Sequence, residues 1–128
     1  MDNKSLVLRK VGGFYQTFDY DALIISYLFN YKVNNYRCGF PINVLNKVTN
    51  VLEEKKINYL VKGDEEIFKI FKKDNNYSKY LEKARIKDNI NNRVNSILKK
   101  LEEMDASELE KVLTSIEEII YEWWILNC

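Results

Sequence analysis

The sequence predicts an α+β protein. Residues 1–75 form a mixed β-sheet flanked by helices, and residues 76–128 form a C-terminal pair of helices packing on it as one compact domain. Three observations support this. Apolar runs of two-residue alternation and of three-to-four spacing follow one another as strand, strand, helix, strand, helix, strand, an order that implies a mixed sheet with covering helices. From Asn75 onward only the helical spacing continues. The 128 residues, 46% of them hydrophobic, suffice for one core, in line with domains of roughly 100–150 residues.

Ser5–Val11 (SLVLRKV) reads as a strand that stops at Gly12-Gly13, where a bulge or tight turn requires positive φ. Phe14–Phe18 (FYQTF) alternates, so Phe14, Gln16 and Phe18 share one face and Tyr15 and Thr17 the other. Asp19 or Asp21 is placed to N-cap a helix with Ala22, Ile25, Leu28 and Phe29 on one stripe, ending near Asn30. Tyr31–Phe40 reads as a strand with Asn34-Asn35 as an irregularity. Pro41 then stands near the start of a helix striped by Val44, Leu45, Val48, Val51 and Leu52, which closes at Glu53–Lys56. Ile57–Val61 is a short strand ended by Gly63-Asp64, and Ile67–Phe71 is a further strand or a short helix start.

Ser78–Leu101 is helix-like, with a kink or break expected at Asp88–Asn92 because Asp and Asn are poor helix formers. Asp105–Leu126 has the clearest periodicity, through Leu109, Val112, Leu113, Ile116, Ile119, Ile120, Trp123 and Trp124. Asp105 with Glu108 makes a capping box, and Met104 with Leu109 is placed as a hydrophobic staple.

The formal net charge is +1, but its distribution is uneven. Residues 1–64 carry 9 Lys/Arg against 6 Asp/Glu, residues 65–100 carry 10 against 5, and residues 101–128 carry 1 against 8. A basic body with an acidic last segment suits a DNA-facing surface joined to a solvated or partner-binding helix. Cys38 and Cys128 make no disulfide framework, the N-terminus has no signal-peptide core, and no ~20-residue apolar run spans a membrane. The expected location is the cytoplasm, with both thiols free.

Catalytic chemistry is poorly served. The chain has no histidine, which removes the usual general base and the commonest metal ligand. Two distant cysteines make no zinc site, and no Gly-rich loop leads into Lys-Ser or Lys-Thr for nucleotide binding. The carboxylate pairs Asp19/Asp21 and Glu65/Glu66 suit helix capping and a solvated turn. The expectation is therefore a non-enzyme without cofactor, metal or nucleotide. A small metal-dependent nuclease is the minority reading.

Two stretches carry a family resemblance. LRKVGGFYQTFDYDALIIS resembles the start of domain I of the MutS DNA mismatch-repair proteins, where a strand delivers Gly-Asp-Phe-Tyr-Glu-(Leu)-Phe ahead of an acidic, Asp-Ala-containing helix. RCGFPINVLNKVTNVLEEKKINYLV resembles the later Ala-Gly-(Ile/Val)-Pro segment with its helix and following strand. The resemblance covers about residues 6–64 and implies a mixed sheet flanked by helices. In that family the Phe of Phe-X-Glu stacks on the mismatched base from the minor groove and the Glu hydrogen-bonds it. By position the stacking residue is Phe14. Gln16 stands in place of the Glu and Gly13 in place of the Asp. These 128 residues hold no counterpart of the family's connector, levers, clamp or ATPase, and residues 76–128 have no match in it.

The resemblance implies a DNA-binding protein, with distorted or mismatched duplex as partner. Phe14, Gln16, Arg9, Lys10, Lys32 and Arg37 are the candidate DNA-binding residues. The alternative is a protein–protein interaction module on the same scaffold, with a partner or a second copy docking on the acidic Asp105–Cys128 helix. The bland expectation for Trp123 and Trp124 is packing on the domain's own core.

Overall fold

The computed structural model describes residues 4–127. It contains β1 (Leu6–Val11), β2 (Phe14–Phe18), α1 (Asp19–Phe29), β3 (Arg37–Pro41), a 3-10 turn at Ile42–Val44, α2 (Leu45–Glu54), β4 (Tyr59–Lys62), β5 (Glu66–Lys69), α3 (Tyr77–Glu102) and α4 (Ala106–Asn127). The fold class is α+β, as the periodicities predict. The chain divides into two compact units, one within residues 1–89 and one within residues 90–128. The sequence-based boundary after residue 75 falls earlier than this division, because Tyr77, Leu81 and Ala84 of α3 are buried with the first unit's core.

The first unit is built on a five-stranded sheet of order β3-β2-β1-β4-β5. β1 pairs antiparallel with β2, β2 with β3 and β4 with β5, while β1 and β4 run parallel. Two residues join β1 to β2, and Gly12 there has φ +61. A left-handed first residue is the signature of a type II′ hairpin turn, whose twist matches that of the strands.

Strand alternation separates the sheet's two faces. Leu6, Leu8, Tyr15, Cys38, Phe40, Tyr59 and Val61 point into the core. There they meet Ala22 and Ile25 of α1, Val48 and Leu52 of α2, and Tyr77 and Leu81 of α3. Thr17 shares that face, with its hydroxyl unpartnered. The opposite face has no buried residue among those described. Helices therefore cover one side of the sheet, and the other is open.

Several local expectations change. Residues 31–36 are not strand apart from a bridge between Asn34 and Arg37, because Asn35 and Tyr36 adopt φ +51 and +61. Pro41 ends β3 opposite Phe14 and is also the N-cap of the 3-10 turn Ile42–Val44 that leads into α2, so it does stand near the helix start. Neither Asp19 nor Asp21 caps α1, whose N-cap is Phe18 with no side-chain bond. Asp21 is instead committed to Val7 N–H and the Tyr77 hydroxyl. The end of α1 lies where expected: Asn30, left-handed at φ 60, donates its N–H to the Ser26 carbonyl.

α3 runs without a break through Asp88–Asn92. The propensity cost of Asp and Asn is under about 0.7 kcal/mol each, and no Gly or Pro interrupts the Ile86, Ile90, Val94 stripe. In the second unit residues 103–105 link α3 to α4. The Glu108 N–H donates to Asp105 Oδ1 at 2.9 Å, which supplies one half of the expected capping box. No described residue of this unit is buried, and Trp123 and Trp124 are 59% and 61% exposed. Cys38 is a free, buried thiol, whereas Cys128 lies outside the described residues. Among the described residues, no helix is long and apolar enough to cross a membrane.

Candidate nucleic-acid interface

The open face follows from register. At the hairpin end, Val11, Phe14 and Pro41 stand side by side across β1, β2 and β3. The next row is Arg9, Gln16 and Gly39, with Lys62 of β4 beside Arg9. Beyond it Phe18 faces Arg37, whose guanidinium lies over the phenyl ring 5.7 Å from its centroid. Toward β5, Leu60 faces Phe68 and Lys62 faces Glu66. One face thus presents three phenyl rings and three cations, with Glu66 as its carboxylate.

Phe14 is held at the rim by its surroundings. The Ile42 N–H donates to the Gly13 carbonyl at 3.1 Å, which fastens the exit of β3 to the hairpin turn. Phe14 and its cross-strand neighbour Val11 are 52% and 50% exposed, and Ile42 is also exposed. Gly39 leaves the middle row low. A Cβ added there would lie 3.3 Å from the Tyr15 carbonyl oxygen and 3.6 Å from Gln16 Cγ. The bare backbone gives the Gln16 side chain room over β3.

The predicted residues divide cleanly. Phe14, Gln16, Arg9 and Arg37 are brought together on the open face. Lys10 is not, because alternation turns it to the other side with Tyr15. Its ammonium donates to Asp64 at 2.8 Å, and that hydrogen bond and its charge raise the lysine pKa. Lys32 lies exposed in the connection between α1 and β3, off the sheet. Phe18, Lys62, Gly39 and Phe68 join them on this face. The two-residue alternation marks Phe18 as sharing Phe14's face, but Lys62 and Phe68 enter only through pairings that no local pattern reveals.

A second concavity of about 790 Å³ opens at the far end of β2, lined by Asp19, Tyr20, Leu23, Val33, Asn35, Tyr36 and Asp88. Asp19, Asn35 and Tyr36 all have positive φ there. Its lining holds two carboxylates and no cation, so it does not suit phosphate. Among the described residues no group of three His, Cys, Asp or Glu side chains could hold a metal ion.

Chemically, the open face offers aromatic surfaces, an amide that both donates and accepts, and cations of a kind suited to anionic oxygens. Arg9, Arg37 and Lys62 form no salt bridge among the described residues. No family model, curated protein or solved structure matches the chain.

Proposed function

We propose that this protein is a non-catalytic DNA-binding protein, resembling the mismatch-recognition domain of MutS, that engages distorted or mismatched duplex through Phe14. The observation that carries the reading is the half-exposed Phe14 at the hairpin rim, on a helix-free face with Gln16, Arg9 and Arg37. A phenyl face stacks on any base with roughly 1–3 kcal/mol, and an apolar wedge opens a kinkable step. Gln16 adds hydrogen bonds without charge. The reading is tested by fluorescence anisotropy against homoduplex, mismatched and bulged duplexes at low salt. Preferential binding to the distorted duplexes that weakens in Phe14→Ala supports it, and no binding at low salt sinks it.

A second reading, an interaction module docking a partner through the C-terminal helix, is favoured by a separate observation. The second unit exposes both indoles and the large apolar side chains around them.

A further inference from the structure

The second unit is two amphipathic helices with more apolar surface than two helices can cover. On α4, Leu109, Ile116 and Trp123 repeat every seven residues, as do Val112, Ile119 and Leu126, the a and d positions of a heptad. Leu113 and Ile120 add a third apolar position per heptad, next to d. On α3, Ile90, Val94, Ile97 and Leu101 keep the same alternation, and Leu98 is the added one. Two apolar positions per heptad make a seam against one neighbour, whereas three make a face that meets two. A hairpin gives each helix a single neighbour.

Exposure shows that the hairpin covers this face only near the turn and leaves seam positions open together with the added ones. Around the turn Leu101, Met104, Leu109, Val112 and Ile116 are half-buried, but Ile90, Val94, Ile97 and Leu98 are exposed. So are Leu113, Ile119, Ile120, Trp123 and Trp124. Together such side chains present on the order of 1,000 Å² of apolar surface, beyond the ~300–600 Å² of a monomer's largest patch. That area is close to the ~800 Å² each partner contributes to a standard interface.

Charge selects the occupant. Between Ile90 and Glu102, α3 carries Arg93, Lys99 and Lys100 against Glu102. α4 carries Glu108, Glu110, Glu117, Glu118 and Glu122 against Lys111. Among the described residues no salt bridge joins the two helices, so both sets of charge remain available to a second surface. An anionic lipid surface is disfavoured by the five carboxylates of α4. A second copy answers both helices at once, since a two-fold arrangement sets the cationic α3 of one chain beside the acidic α4 of the other.

We infer that the second unit is a self-association element, in which two copies pair α3 against α4 into a four-helix bundle. This rests on the interaction-module reading and names its partner. The full chain is measured by light scattering after size exclusion at about 100 μM, with Trp fluorescence recorded in parallel. Both tryptophans of the sequence lie on α4, so the signal reports this unit alone. The expected result is twice the 15.3 kDa chain mass, with blue-shifted emission. Ile120→Glu, at an exposed position, is expected to weaken association at least tenfold while far-UV helicity is kept. Reversing Arg93 and Lys100 together (R93E/K100E) is expected to do the same.

A monomer overturns the inference in either form. If its indoles are open to acrylamide quenching, the face belongs to a different partner and the interaction-module reading survives. If they are shielded, that reading falls as well. A dimer indifferent to both variants also overturns the inference.

Discussion

The Tyr77 hydroxyl donates to the Asp21 carboxylate across 2.5 Å, tying the first turn of α3 to the first turn of α1. The other carboxylate oxygen accepts the Val7 N–H at 3.1 Å, which satisfies β1 where β2 has already turned into helix. Burial raises the Asp21 pKa, and these two hydrogen bonds pull it back only in part. A folded-state pKa above the unfolded value means that the native state holds the proton more tightly. This group's contribution to stability therefore falls as pH rises just above the ordinary carboxylate range. Tyr77→Phe removes a bond to a charged acceptor and is expected to cost about 1.5–3 kcal/mol at pH 7, and less near pH 4. Urea unfolding at both values measures the difference, and an equal loss at both contradicts it.

The hairpin turn allows a matched pair of substitutions. A Cβ at Gly12 or at Gly13 would meet nothing within 4 Å, yet only Gly12 has positive φ. Gly12→Ala is expected to cost about 1–2 kcal/mol through backbone conformation alone, while Gly13→Ala stays within about 0.5 kcal/mol. Thermal unfolding of the two variants side by side reads this directly.

Neighbouring cations on β1 should differ in DNA binding. Arg9→Gln is expected to weaken binding about equally across duplexes and to reduce the salt slope by about one. Lys10→Gln, on the other face and paired with Asp64, is expected to leave both unchanged. Its solvent-screened salt bridge should contribute little to stability. Anisotropy titrations at three salt concentrations separate the two, and equal effects would place the DNA elsewhere.

Burial pushes the Cys38 thiol up to about 11. At pH 8 its thiolate, the reactive form, is then about a hundredth as populated as that of an ordinary cysteine. In Cys128→Ser, alkylation by iodoacetamide is expected to be at least 100-fold slower in the native protein than in urea. The same shift makes stability decline as pH rises from about 9 toward 11, where unfolding releases the proton more readily. Mass spectrometry of timed samples gives the rates.

What was legible in the sequence was whatever depends on near neighbours. The Gly12-Gly13 turn, the shared face of Phe14, Gln16 and Phe18, the left-handed Asn30 and the Asp105 cap are local chemistry. Each is present in the structure. Lys10 obeys the same alternation, which separates it from Arg9 as surely as it joins Phe14 to Gln16. Asp21 shows the opposite. Its short acidic side chain ahead of a helix fits a cap, and only the approach of Tyr77, 56 residues away, diverts it. Tyr31–Tyr36 has strand-like composition, but left-handed Asn35 and Tyr36 and the contact from Asp19 N–H to the Tyr36 carbonyl hold it as a loop.

The place of β1 in the sheet bears on how the chain is made. It is the first strand in sequence yet the central one in space, with its parallel partner beginning at Tyr59. β1 and β2 can pair locally, since only two residues separate them, although a lone hairpin is marginal in water. The other flank of β1, Leu6 to Arg9, has no partner until some forty residues beyond the hairpin are synthesised. Exposed strand edges of this kind recruit neighbouring chains. Translation speed through α1 and α2 therefore governs how long each nascent chain is open to its neighbours on a polysome.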